Sequence, residues 1–271
     1  MDNTMHALKR NQVSFLLISL FLLSCFCSIA QAPPEVFARV SMMKVSPGNQ
    51  KEFEKFMNEK IKPLHMLRRQ QGKIFLWILF KVHNVGGNDE YNYVGVSYHP
   101  AWETTEPPLF ADLIRQAHPE DDAVAIESKL RELGTLVRQH ILFRMKAIEP
   151  NPPVPSKYVR LDYMRVRPGK NGDYLDVEMK EWMPVHQSLI NDGQCTGWGL
   201  WQLVFPGGSE SAYHYVTSQR YADYAHALGT DFEEVLRKTH PSRNVSEILT
   251  RTTESRDLVK SELWEVVDML Q

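Results

Sequence analysis

An internal repeat is the feature that most limits what this 271-residue chain can fold into. Val45-Ser46-Pro47-Gly48, Phe53, Pro63-Leu64-His65, Gly72 and Trp77 return as Val166-Arg167-Pro168-Gly169, Tyr174, Pro184-Val185-His186, Gly193 and Trp198. Each match lies 121 positions further on. After a one-residue insertion the offset is 122, so that Tyr91 and Tyr93 match Tyr213 and Tyr215. Such a repeat is one supersecondary unit written twice, and the second copy can cover surface that the first cannot cover alone.

Within the first copy, residues 36–45 alternate as a strand, and Pro47-Gly48 turns the chain. Residues 49–71 read as a helix through Phe53, Phe56, Met57 and Ile61, with Pro63 kinking or restarting it. Residues 74–82 are apolar on both faces and predict a strand covered on both sides. Gly86-Gly87-Asn88-Asp89 is a turn, and 91–97 a third strand. A helical region breaks at His118-Pro119 and resumes at Glu120-Asp121-Asp122 before a fourth strand at 139–147. The second copy repeats this order, with strands at 158–166, 196–205 and 259–268 and a helix at 171–191. Pro-rich residues 149–157 read as a stiff linker.

Each copy is therefore β-α-β-β-α-β, the split ferredoxin-like arrangement. The fold class is α+β. Two tandem units, 33–148 and 158–271, are expected to cover each other's bare sheet faces in one pseudo-two-fold eight-stranded barrel with outer helices. The Pro-Gly turn, the Pro-x-His, the Trp-bearing second strand and the duplication resemble the dimeric α/β-barrel superfamily. That group takes in antibiotic-biosynthesis-monooxygenase-like and NIPSNAP-like proteins. The resemblance implies either a cofactor-independent monooxygenase or isomerase, a haem-linked role, or a protein without catalysis.

Residues 1–30 read as a cleaved signal peptide. Lys9 and Arg10 precede the apolar run 13–30, which ends in small residues at Ser28-Ile29-Ala30. An uncleaved anchor, or a lipoprotein box at Leu22-Leu23-Ser24-Cys25, is the alternative. Cleavage leaves Cys195 as the one thiol, so no internal disulfide is expected in a periplasmic or secreted protein. No stable membrane insertion is expected after cleavage. A formal net charge of −2 provides no basic field for nucleic acid. Nucleotide-binding, His-Glu-x-x-His and Cys-x-x-Cys signatures are missing, so neither metal nor cofactor is expected.

Polar residues on the strands supply the candidate site. Taking Ala38, Val40 and Met42 as the helix side of strand one, Arg39, Ser41, Arg160 and Asp162 point inward, joined by Tyr93 and Tyr215 from strand three. Strand four adds His140, Leu142 and Arg144, with Glu262 and Trp264 as counterparts. Arg39 or Arg160 could hold an anionic group, and Asp162, Glu262 or His140 could move a proton. Charges pairing with one another are the plainer account of the same residues. His65 and His186, each two residues after a proline, suit a general base or haem ligand, but a structural corner is the reading favoured. His118 and His240 read as helix-end residues. The copies differ at Ser41 against Asp162, His140 against Glu262 and Arg144 against Val266, and function is expected there.

Two functions follow. One is a barrel that binds a small apolar or aromatic molecule, with a homodimer as a possible assembly. The other is a non-catalytic structural or scavenging protein with a packed barrel. The size of the interior cavity separates them.

Overall fold

The computed structural model describes residues 35–85 and 89–270. The segment read as a signal peptide and Gly86-Gly87-Asn88 of the predicted turn lie outside them. Eight strands form one closed antiparallel barrel. They are β1 (Phe37–Val45), β2 (Leu76–Val82), β3 (Tyr93–His99), β4 (Gly134–Ile148), β5 (Tyr158–Val166), β6 (Gly197–Phe205), β7 (Tyr215–Tyr221) and β8 (Arg256–Met269). The first repeat supplies β4-β1-β3-β2 and the second β8-β5-β7-β6, joined by the pairs β2–β8 and β4–β6. Closure leaves no unpaired strand edge.

The helices lie outside. In the first repeat these are α1 (Gln50–Phe56), α2 (Lys62–Gln70), α3 (Phe110–Ala117) and α4 (Ala123–Leu133). The second has α5 (Asn171–Val177), α6 (Met183–Asn191), α7 (Tyr224–Leu228), α8 (Phe232–Thr239) and α9 (Val245–Ser255). Prolines 63 and 184 do not end their helices. Each lacks the N–H that would bond four residues back, and the chain widens into a π-helical turn just before it, Met57–Ile61 and Glu178–Trp182. There Lys62 N–H reaches Met57 and Met183 N–H reaches Glu178. His118 and His240 brace these turns, their Nε2 atoms 2.9 Å from the carbonyl oxygens of Lys60 and Glu181. Asp122 and Asn244 cap α4 and α9 from matching positions, accepting from the N–H of Val124 and Ser246 at 2.9 Å.

Both faces of the sheet are buried. Ala38, Val40, Met42, Phe80, Val96, Val159, Leu161 and Tyr163 fill the barrel, while Phe53, Leu64, Trp77, Leu79 and Ile114 pack between sheet and helices. The faces of β1, β3, β5 and β7 are thus the reverse of those expected. Arg39, Ser41, Arg160 and Asp162 lie on the outer, helix-side face. So do Tyr93 and Tyr215, whose hydroxyls donate to Glu54 and Asn171 on the helices. The energetics explain the reversal. An unpaired charge in a dry barrel costs several kcal/mol, on the order of 5, whereas the helix layer is open to water at its ends. The aliphatic stripe therefore turns in. On β4 and β8 the inward residues are His140, Leu142, Glu262 and Trp264, opposite Val40, Ala38, Leu161 and Val159.

Candidate functional site at the open end of the barrel

The two ends of the barrel differ. At the Met42 end a polar cluster closes it. The Glu262 carboxylate accepts from Tyr91 OH (2.6 Å), Lys260 Nζ (2.7 Å), Tyr163 OH (2.9 Å) and Trp264 Nε1 (3.0 Å). Tyr213 OH lies 2.5 Å from His140 Nδ1, and its ring meets that of Tyr163 edge-on at 4.8 Å. Burial, then the charge of Glu262, pushes the phenols of Tyr91, Tyr163 and Tyr213 up, so they stay protonated as donors. Burial, then Arg138 and Lys260, holds His140 down at about 4, leaving the imidazole neutral. Between the ends the aliphatic stripe leaves a void of only about 50 Å³. That admits a few water molecules and no substrate.

At the Ala38 end the barrel opens into a cleft of about 270 Å³. Its floor is Phe80, Tyr98, Val159 and Trp201, shared with the interior void. Tyr98 and Trp201 lie 5.8 Å apart, and Trp201 Nε1 donates to Ser218 Oγ at 3.0 Å. Arg144 and Arg220 stand at the rim with Glu149. Arg220 is bonded to Glu149, whereas Arg144 forms no ion pair among the described residues and burial lowers its pKa. The linker is more than a spacer. It joins β4 to β5 across this end, where Val154, Pro155 and Ser156 wall the cleft and Ser156 Oγ sits 2.7 Å from Thr196 Oγ1.

No protein-family model matches the chain, and no curated protein matches it. Solved structures do resemble it. A provisionally named monooxygenase from Fusobacterium nucleatum subsp. nucleatum ATCC 25586 aligns with a TM-score of 0.54 at 7% identity, over 88% of this chain and 95% of its own. A provisionally named chlorite dismutase aligns with a TM-score of 0.51 at 10% identity, over 86% and 95%. The chain shares their fold. At these identities the likeness extends to architecture alone.

The residues predicted as one site are divided among the two barrel ends and the two helix–sheet layers. His140, Glu262 and Trp264 meet at the closed end, and Arg144 stands at the open end. Arg39, Arg160, Asp162, His65 and His186 occupy the two helix–sheet layers. His65 and His186 have the same arrangement in both repeats. They stack on Trp77 and Trp198, centroids 4.7 and 5.4 Å apart and planes within 15° and 16°. Burial, the first cause for both, pushes them down to about 3. In the second repeat Arg160 Nε donates to Asp162 at 3.1 Å, and Asp162 also accepts from Gln219 and Ser261. Sequence reading missed Tyr91, Tyr163, Tyr213 and Lys260, along with Tyr98 and Ser218. A missed pair in the first repeat, Arg68 and His99, was detectable as a difference between copies, since Leu189 and Tyr221 stand in their places.

Proposed function

We propose that this protein binds a small organic molecule, an apolar or aromatic body with one acidic group, in the cleft at the open end of the barrel. The cleft itself carries the reading. It is an aromatic floor that deepens toward the barrel axis, rimmed by an arginine with no ion-pair partner among the described residues. At about 270 Å³ it approaches the lower end of ligand cavities, roughly 300 Å³. The apolar body would lie on Tyr98 and Trp201 with its acid toward Arg144.

The reading is one of binding rather than turnover. The groups able to move a proton, His140 and Glu262, lie at the far end behind a void of about 50 Å³. A molecule in the cleft does not reach them, so oxygenation or isomerisation in the interior is not part of the proposal. Binding in a secreted or periplasmic setting, the address read from residues 1–30, suits a scavenging or carrier role. Native mass spectrometry of the full chain purified from its source tests the proposal. A co-purifying organic mass present in the wild type and lost from Ala147→Trp, which fills the cleft wall, is the expected result. A mass retained by that variant contradicts it.

A further inference from the structure

The helix–sheet layers of the two repeats are built on the same frame but differ in charge. In the second, Arg160 is neutralised by Asp162, the next residue on the same strand face. In the first, position 41 is serine, and the Nε of Arg39, the atom that Arg160 gives to its carboxylate, is buried without an acceptor among the described residues. The Arg39 Nη2 is held by the carbonyl of Thr105, in the short 3-10 turn Trp102–Thr105 after β3.

The other differences add donors around Arg39. Where the second repeat has Leu189, the first has Arg68, 6% exposed. Its guanidinium makes no hydrogen bond or ion pair among the described residues. Where the second has Tyr221, the first has His99, 0% exposed. His99 Nε2 lies 3.0 Å from Ser97 Oγ. With Ser97 donating, Nδ1 carries the ring proton, and among the described residues this buried Nδ1 makes no well-formed hydrogen bond, although the backbone of Thr104 and Lys73 comes near the ring and favours its protonation. His65 Nδ1 is a third buried nitrogen with no partner among the described residues; its counterpart His186 Nδ1 is the same, so this atom belongs to the shared frame and not to the differences. The four groups feel one another. Burial, then Arg39, lowers Arg68 to about 10; burial, then Arg68, lowers His99 to about 4; and burial, then Arg68 and His99, lowers His65 to about 3. Both histidines are then neutral near pH 7, leaving two guanidinium charges with no carboxylate paired to them among the described residues.

A buried charge is ordinarily kept only when it is paired. A pair of arginines surrounded by donors lacking acceptors is the arrangement that binds a planar or tetrahedral oxyanion. We propose that the first repeat holds an oxyanion site, for a carboxylate or phosphate group, formed by Arg39 and Arg68 with the Nδ1 atoms of His65 and His99. It lies on the opposite face of the sheet from the barrel cleft. Arg39 and His65, both only half-buried, mark its way in. The second repeat has no such site: Asp162 supplies an internal anion to Arg160, and Leu189 stands where the second guanidinium would be.

The test is differential scanning calorimetry of the full chain, titrated with inorganic phosphate or acetate against sodium chloride at matched ionic strength. Two variants import the second repeat's solutions. One is Arg68→Leu, which copies Leu189, a side chain packed at 1% exposure; the other is Ser41→Asp. The wild-type Tm should rise with phosphate or acetate and saturate, and whichever acts more strongly separates a tetrahedral from a planar ligand. In both variants the ligand-free Tm should be equal or higher and the anion-dependent rise at least ten-fold weaker. No rise with either anion, or a rise that survives both substitutions, overturns the proposal. So does a ligand-free Tm that falls in both, which would make the cations structural.

Discussion

Arg160 gives its Nε to Asp162 at 3.1 Å, and the matching Nε of Arg39 in the other repeat has no acceptor among the described residues. The duplication built one scaffold, and a serine-for-aspartate difference set its two helix–sheet layers apart. Asp162→Ser should make the second repeat resemble the first without its ligand. Arg160, Gln219 and Ser261 would lose their acceptor, so a loss of about 2–4 kcal/mol is expected. Urea unfolding measures it, and an unchanged midpoint would show that the pair contributes nothing.

Acid should destabilise the fold through its neutral histidines. Burial, the first cause in each, pushes His65 and His186 down to about 3 and His99 and His140 to about 4. The unfolded chain therefore binds protons that the folded chain refuses. Their contribution is whole above the ordinary value of 6.5 and is lost as pH falls toward 4 and then 3. Glu178 acts in the opposite sense. Burial, opposed by Arg256, raises it to about 7, so its contribution is present below 4.5 and lost as pH rises through 7. Between 4.5 and 6.5 four histidines outweigh one carboxyl. Unfolding should take up about three protons, each worth about 1.4 kcal/mol per pH unit. Urea midpoints should fall from pH 6.5 to 4.5, and a flat profile would contradict the burial of these rings.

The Glu262 cluster should matter more for stability than for binding. Glu262→Leu leaves Tyr91, Tyr163 and Trp264 with buried donors and no acceptor. At about 1–3 kcal/mol each, the loss should be several kcal/mol, with Glu262→Gln milder. Ligand retention in the cleft should be unchanged in Glu262→Gln, since the void between them admits only water. Linked loss of binding would mean that the two ends communicate.

The repeat makes the architecture legible from sequence. Seven strands can be placed close to their final positions, and β7 follows from the match of Tyr213 and Tyr215 to Tyr91 and Tyr93, because β2 is apolar on both faces and because the same turns and prolines recur. The facing of β1, β3, β5 and β7 is not legible. Alternation separates two faces but does not name them, and both faces here are buried. Ala38-Val40-Met42 has the pattern of a helix-facing stripe, yet a closed barrel has less access to water than the layer outside it, so the charge-free stripe turns inward. Tyr91 and Tyr93 share strand parity but end on opposite sides, because Asn92 bonds the backbone of Val45 on both N–H and C=O at 2.8 Å and redirects the chain there. Distances across the barrel, such as Tyr213 to His140, depend on closure and cannot be read from either copy alone.

The central claim is that an acidic aromatic molecule binds in the cleft beside Arg144. It is tested most directly by titrating the folded full chain with 1-anilinonaphthalene-8-sulfonate, an aromatic body carrying one anionic group, and following the dye's fluorescence. One saturable equivalent on the wild type, weakened at least ten-fold in Arg144→Leu with the circular dichroism unchanged, is the predicted result. Equal binding by the two proteins, or none by the wild type, would contradict the account.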